Sequence, residues 1–193
     1  MTRWQEHLAE VQGRLVRSRY DDAREGGDRL RAGVGHLRVA TRDLPGDDLP
    51  PARLLPPTAL RLARDHLDLE RSAEVLSAVL GADLDLVRRH LGGNLRQVDG
   101  ASVLLAVRHG ENAVGTVTLV LTEDAAGTVA GVHALAVAAP YRGRGIGSAL
   151  AGRALELGAA AGADLAVATS LEAAGDVLER LGLRPVGDRP APA

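Results

Sequence analysis

The 193-residue chain contains no cysteine, no phenylalanine and no lysine. Without cysteine there is no disulfide, no thiolate nucleophile and no Cys-ligated metal site, a composition that suits a reducing cytoplasm. The aromatics number three, Trp4, Tyr20 and Tyr141. That excludes the interleaved rings on which single-stranded nucleic acids stack. An apolar share of 46% is ample for a core, which must be built from Leu, Val and Ala. The 23 basic residues, all Arg, face 25 acids for a net charge of −2, so no global field draws the protein to DNA or to an anionic membrane. Arg3, Glu6 and Glu10 interrupt any apolar leader. The longest uncharged run, Ala125 to Tyr141, is shorter than the ~20 apolar residues of a spanning helix. A cytoplasmic protein with neither nucleic-acid nor membrane partners is expected.

Charge divides the chain. Residues 1–100 hold 16 Arg and 16 acids and residues 101–193 only 7 and 9, which predicts solvated helices followed by a buried sheet. Trp4, Leu8, Val11 and Leu15 recur at helical spacing, giving an amphipathic N-terminal helix that fades at Gly26-Gly27. Residues 36–40 alternate like a short strand, and a loop follows with five of the nine prolines between Pro45 and Pro57. From Thr58 to His90 the apolar spacing predicts two or three short helices, N-capped by Thr58 and Asp83 and broken near Leu69 and at Gly81. The period then changes. Residues 102–108, 113–121 and 128–137 are Val- and Leu-rich runs separated by turn residues, an antiparallel meander. A helix over about 145–161, a buried strand at 164–169 and a helix over about 172–181 ending at Gly182 complete the chain.

The chemistry concentrates in Val137-Ala138-Ala139-Pro140-Tyr141-Arg142-Gly143-Arg144-Gly145-Ile146-Gly147-Ser148, where a strand hands over to a helix. Glycines there allow a tight turn and leave several N–H groups converging at the positive end of a helix dipole, a hole shaped for a pyrophosphate. Arg142 and Arg144 stand at its rim and can meet the remaining phosphate oxygens. A Walker A loop is excluded, because a chain without lysine has no Gly-Lys-Ser/Thr. A dinucleotide fold would place its glycines after the first strand of a βαβ unit, whereas these follow the last strand of a meander.

Leu135-Ala136-Val137 followed by Pro140-Tyr141-Arg142-Gly143-Arg144-Gly145-Ile146-Gly147 resembles motif A of the GNAT superfamily of acyl-CoA-dependent N-acetyltransferases. The element order is similar too, over Gly35 to about Asp188. The resemblance implies an α/β fold of the α+β type: a central mixed, mostly antiparallel sheet flanked by helices, formed by residues 35–193. Residues 1–34 would be an added helical extension that either caps the fold or pairs with a second copy in a homodimer. It implies acetyl-CoA as co-substrate and no metal. The pantetheine would lie along the backbone of Leu135, Ala136 and Val137, and the N–H groups of Gly143, Arg144, Gly145, Ile146, Gly147 and Ser148 would hold the pyrophosphate. An amine of a small molecule or protein would attack the thioester directly, with an N–H near Val137 stabilising the oxyanion.

A protonated amine needs a base or relay. His133 lies on the same strand where relatives often carry a carboxylate, and simple alternation would put residues 131, 133, 135 and 137 on one face. His7, His36, His66, His90 and His109 show no metal-ligand spacing and are expected to be surface or packing residues. Counting back from Gly182, the tyrosine that usually protonates the thiolate in this superfamily is Leu178; Leu171 stands in the Asn position, Leu183 replaces the Phe, and Ala174 matches. Ser170 or Thr169 would have to supply that proton through water. The acceptor side would be shaped by the Pro-rich loop and residues 58–90, where Asp43, Asp47, Asp48, Asp65 and Asp68 are acidic candidates for a cationic amine. The missing tyrosine keeps two alternatives open, a non-catalytic acyl-CoA-binding module and an enzyme using another acyl-CoA.

Overall fold

The computed structural model describes residues 2–3, 5–10, 36–44, 54–89, 91, 100–170 and 175–190. Seven strands form one sheet: β1 His36–Asp43, β2 Thr58–Leu62, β3 Ala101–Arg108, β4 Asn112–Asp124, β5 Gly127–Val137, β6 Ala163–Ser170 and β7 Arg184–Pro190. Their order is β2-β3-β4-β5-β6-β1-β7, and every neighbouring pair is antiparallel except β5–β6. The helices are α1 His66–Leu80, α2 Leu84–Arg89, α3 Ile146–Ala160 and α4 Gly175–Arg180, with residues 5–10 also helical. The parallel β5–β6 pair requires a crossover, which α3 supplies. This is the mixed, mostly antiparallel sheet with flanking helices that the sequence implies.

The meander appears where the alternating runs place it, and α3 and β6 match within a residue or two. Three expectations are corrected. Thr58 begins strand β2 and is no helix cap; residues 58–62 pair in register with Leu104–Arg108 of β3. Five residues that are only partly covered satisfy a sheet edge as readily as they start a helix, and the neighbouring strand decides. Helix α1 runs unbroken through Leu69, because Asp65 caps it by accepting the Asp68 N–H at 2.9 Å and nothing interrupts it before Gly81. The third is β7, which no sequence signal announces: Pro185, Gly187 and Pro190 argue against a strand, but β7 is an edge strand, where proline is tolerated. The expected Asp83 cap is present, accepting the Leu86 N–H at 2.9 Å.

The main core lies between the sheet and α3. Leu104, Val117, Leu119 and Val132 from the strands meet Leu150, Ala154 and Leu155 from the helix and Leu178, Leu181 and Leu183 from the C-terminal region. It is aliphatic throughout, as the aromatic shortage requires; each fully buried leucine contributes about 1.5–3 kcal/mol. On the opposite face, α1 packs Ala73 and Leu76 with Ala136, and Ser72 Oγ shares a 2.7 Å hydrogen bond with Thr116 Oγ1 of β4. Asp68 is 1% exposed and makes a 2.5 Å ion pair with Arg61 of β2, which ties α1 to the sheet edge. Farther along this face Leu8 packs with Val39, Val129 and Val167, and Arg3 bonds Asp164. The N-terminal helical residues therefore cap the sheet.

Candidate functional site

Strand β5 is where the sheet opens. It pairs with β6 only from Thr128↔Ala163 to Val132↔Ala168, yet continues to Val137, held there by β4 through Thr116↔Ala136 and Gly115↔Val137. Along residues 133–137 its other backbone edge has no strand partner among the described residues. The register with β4 also slips between Thr116 and Thr118, where β5 carries one extra residue. That bulge contains Ala134 at φ +52, a left-handed conformation costing a non-glycine residue about 1–2 kcal/mol. Such strain persists where surrounding structure holds it, often at functional sites.

The bulge corrects the expected facing of side chains. Ala130, Val132, Leu135 and Val137 turn toward the α3 core, whereas Val129, Gly131, His133 and Ala136 turn to the opposite face. An inserted residue flips the alternation, so His133 does not share a face with Leu135 and Val137.

Beyond Val137 the chain passes through a single 3₁₀ turn, Ala139–Tyr141, into the glycine loop. Gly143 and Gly145 have φ of +71 and +77, and Gly145 is the N-cap of α3. Only a residue without Cβ turns this corner at no steric cost. The N–H groups of residues 143–148 meet no backbone acceptor among the described residues, so they stand at the α3 N-terminus with the helix dipole behind them. A Cβ built on Gly143 meets nothing within 4 Å, so the space beside these N–H groups is open to an anion. Of the two rim arginines, Arg142 donates its Nε to the Val137 carbonyl at 2.9 Å, and Arg144 lies over the Tyr141 ring, 5.8 Å from its centre. Arg108 lies near the same ring at 5.2 Å. Leu135, Ala136 and Val137 carry the open edge straight into this loop, bringing together the backbone groups to which the resemblance assigns pantetheine and pyrophosphate.

His133 is half-buried beside the cleft. Its Nδ1 lies 3.0 Å from Thr169 Oγ1 and its Nε2 lies 3.2 Å from His7 Nε2. Burial lowers its pKa to about 4, so the ring is neutral at pH 7. His7, expected to be a packing residue, is 2% exposed and also shares a 2.6 Å hydrogen bond between Nδ1 and Thr122 Oγ1. Sequence reasoning left this partnership out, although one signal was present. Gly131 interrupts a valine-rich strand, and a Cβ there would lie 2.2 Å from His7 Nε2 and 2.4 Å from His133 Nε2.

The remaining candidates separate. Ser170 ends β6 just past the last β5–β6 pair. Leu178 is 3% exposed inside the main core, an aliphatic side chain with no proton to give. Asp65 and Asp68 serve the start of α1, and Asp43 pairs with Leu165 near the closed end of the β5–β6 pair. Asp47, Asp48, Leu171 and Ala174 lie outside the described residues. Among those described, no cluster of three or more His, Asp or Glu side chains could hold a metal, and no helix is long and apolar enough to cross a membrane.

Comparison with known proteins agrees with this geometry. The family described as Acetyltransferase (GNAT) matches residues 61–183. No curated protein matches the chain. Among solved structures, a GCN5-related N-acetyltransferase from Sphaerobacter thermophilus superposes with a TM-score of 0.60 at 21% identity, over 80% of this chain and 50% of that one. A tandem GNAT protein from the clavulanic acid biosynthesis pathway gives 0.61 at 18% identity, over 83% and 55%. Glucosamine-6-phosphate N-acetyltransferase from Arabidopsis thaliana gives 0.57 at 11% identity, over 70% and 97%. The chain thus spans about half the length of the Sphaerobacter and tandem proteins. At these identities the likeness is one of fold.

Proposed function

The chain belongs to the acetyltransferase (GNAT) family, and from that premise we propose that it transfers an acetyl group from acetyl-CoA to a primary amine of a small molecule or protein. The observation that carries this reading is the continuity of the open β5 edge with the glycine cradle. An extended amide arm can add to residues 133–137 as a strand would, while its pyrophosphate reaches the N–H groups of residues 143–148. The resemblance to the family implies direct attack of the amine on the thioester carbonyl, and that route needs the amine deprotonated. Of the residues near the open end of β5, His133, neutral at working pH, and Ser170, at the end of β6, are the groups closest in type to that task.

A second reading is favoured by one observation. Leu178 sits in the core where relatives place a tyrosine hydroxyl, which suits a protein that binds an acyl-CoA without transferring the acyl group. Thermal stabilisation by acetyl-CoA, followed by a thiol-release screen over small amines and peptide amino groups, tests both. Stabilisation with thiol release supports the transferase; stabilisation with no release to any amine supports the binding module. Absence of stabilisation by acetyl-, succinyl- and longer-chain thioesters would remove both. A preference for a thioester other than acetyl would identify a different acyl donor.

A further inference from the structure

We propose that His7, on the N-terminal helical segment, is a positioning residue for proton transfer at the acyl-transfer cleft, acting through a hydrogen-bonded chain Thr122–His7–His133–Thr169 whose outer end is the Thr169 hydroxyl. The inference rests on the transferase reading above. Its links measure 2.6 Å from Thr122 Oγ1 to His7 Nδ1, 3.2 Å between the two Nε2 atoms, and 3.0 Å from His133 Nδ1 to Thr169 Oγ1. The rings lie 5.5 Å apart and within 7° of parallel. Thr169 stands one residue beyond Ala168, the last β6 residue paired with β5, so the outer hydroxyl is at the point where the strands separate.

Donor and acceptor counting gives this chain its chemistry. A neutral imidazole has one N–H and one bare nitrogen, and a threonine hydroxyl both donates and accepts. These three links can therefore be made in two opposite senses. In the inward sense Thr169 donates to His133, His133 to His7, and His7 to Thr122; in the outward sense every bond is reversed. Moving one proton in at Thr169 converts the inward sense toward the outward one. The ammonium N–H bond of the acceptor breaks and a new Thr169 O–H forms. The former Thr169 proton passes to His133 Nδ1 and the His133 Nε2 proton passes to His7 Nε2. The free amine then attacks, the C–S bond breaks, and the chain returns its proton through Thr169 to the thiolate. The second proton lost by nitrogen goes to solvent. One chain thus serves first as base and then as acid, the two tasks for which His133 alone, with both ring nitrogens engaged, and Leu178, with no hydroxyl, are unequipped.

The fold is adapted to the pair. Gly131 leaves the space that both Nε2 atoms overhang, and the Arg3–Asp164 ion pair and Leu8 fix the segment carrying His7. Three variants test the role, in the full chain. His7→Phe keeps a ring and removes both nitrogens; His7→Gln restores an acceptor, its carbonyl oxygen, near the Nε2 position; Thr169→Val removes only the outer hydroxyl. In ¹⁵N-histidine NMR, wild-type His133 should show the Nε2–H tautomer of the inward sense, the one that leaves Nδ1 bare to take a proton, and His7→Phe, which removes the acceptor of that N–H, should shift it to a mixture. With the best amine, kcat should fall at least ~10-fold in His7→Phe and in Thr169→Val, recover in part in His7→Gln, and leave KM for acetyl-CoA within about twofold. An unchanged His133 tautomer in His7→Phe, or an unchanged kcat in Thr169→Val, overturns the proposal, and the latter holds even if His7→Phe fails to fold. A wild-type protein that binds acetyl-CoA and acetylates no amine defeats the transferase reading and the catalytic use of the chain, while the NMR result still decides whether His7 sets the state of His133.

Discussion

Arg3 holds Asp164 through two parallel hydrogen bonds of 2.9 Å, Nη1 to Oδ2 and Nη2 to Oδ1, joining positions 161 residues apart. The Arg3 hydrogen bond is the largest cause holding the Asp164 carboxyl below its ordinary pKa, assisted by the Thr128 N–H. A carboxyl whose folded pKa is depressed stabilises the fold above its unfolded value of ~3.9 and loses that contribution as pH falls through the lower folded value. Urea denaturation of wild type and Asp164→Asn should therefore show a constant gap from neutral pH down to about pH 5, shrinking in stronger acid. The side chains are 29% and 46% exposed, so the gap should be small and should narrow further in high salt. A gap that widens in acid would contradict the ion pair.

Gly131→Ala places a methyl group 2.2 Å and 2.4 Å from the two Nε2 atoms. Neither histidine can yield without losing a hydrogen bond, so the expected loss is about 1–3 kcal/mol of stability in urea melts, with the His7–His133 contact broken in NMR.

Leu178→Tyr introduces the tyrosine that the family resemblance implies at this place, but it does so inside a packed aliphatic core. Overpacking by a ring with a polar end should cost about 1–3 kcal/mol, measured by the denaturation midpoint, with no gain in acetyl transfer. Leu178→Ala should cost about 2–5 kcal/mol by leaving a cavity. An increase in turnover on adding the tyrosine would show that the position reaches the cleft.

Gly147→Glu separates folding from binding. A Cβ at 147 meets its nearest neighbours, Val137 and Val177, at ordinary contact distances of 3.7–3.9 Å, and an acid in the first turn of a helix is tolerated by the dipole. The melting temperature should stay close to wild type. Affinity for CoA, measured by calorimetry, should drop at least ~10-fold, equivalent to about 1.4 kcal/mol, because a carboxylate occupies the anion cradle. Undiminished affinity would mean the loop is only a turn.

Much of this architecture is legible in the sequence where local chemistry alone decides it. The valine-rich runs of 101–137 can only be strands, Gly143 and Gly145 mark a corner, and the alanine- and leucine-rich stretch after them is a buried helix. What escaped reading is decided by neighbours. Residues 58–62 become β2 because β3 offers them a partner, and β7 tolerates Pro185 because only one of its edges is paired. The bulge at Ala134 is a single extra residue against β4; nothing in the composition of β5 announces it, yet it reverses the facing of every side chain that follows. His7 and His133 are 126 positions apart, and only the unexplained Gly131 hints that something crosses that strand.

Strand β1 lies between β6 and β7, so residues 36–43 pair only with residues 163–190. During synthesis at ~5–20 residues per second, β1 leaves the ribosome roughly 6–25 s before its first partner strand begins to emerge. The segment carrying Arg3 and His7 waits through 115 residues for Thr122, 126 for His133 and 161 for Asp164. The beginning of the chain is therefore among the last parts to settle. A nascent or truncated polypeptide ending before β6 would expose a strand with two vacant edges and leave the N-terminal helical residues without Asp164 and Val167, a species suited to chaperone capture or to pairing with the wrong chain.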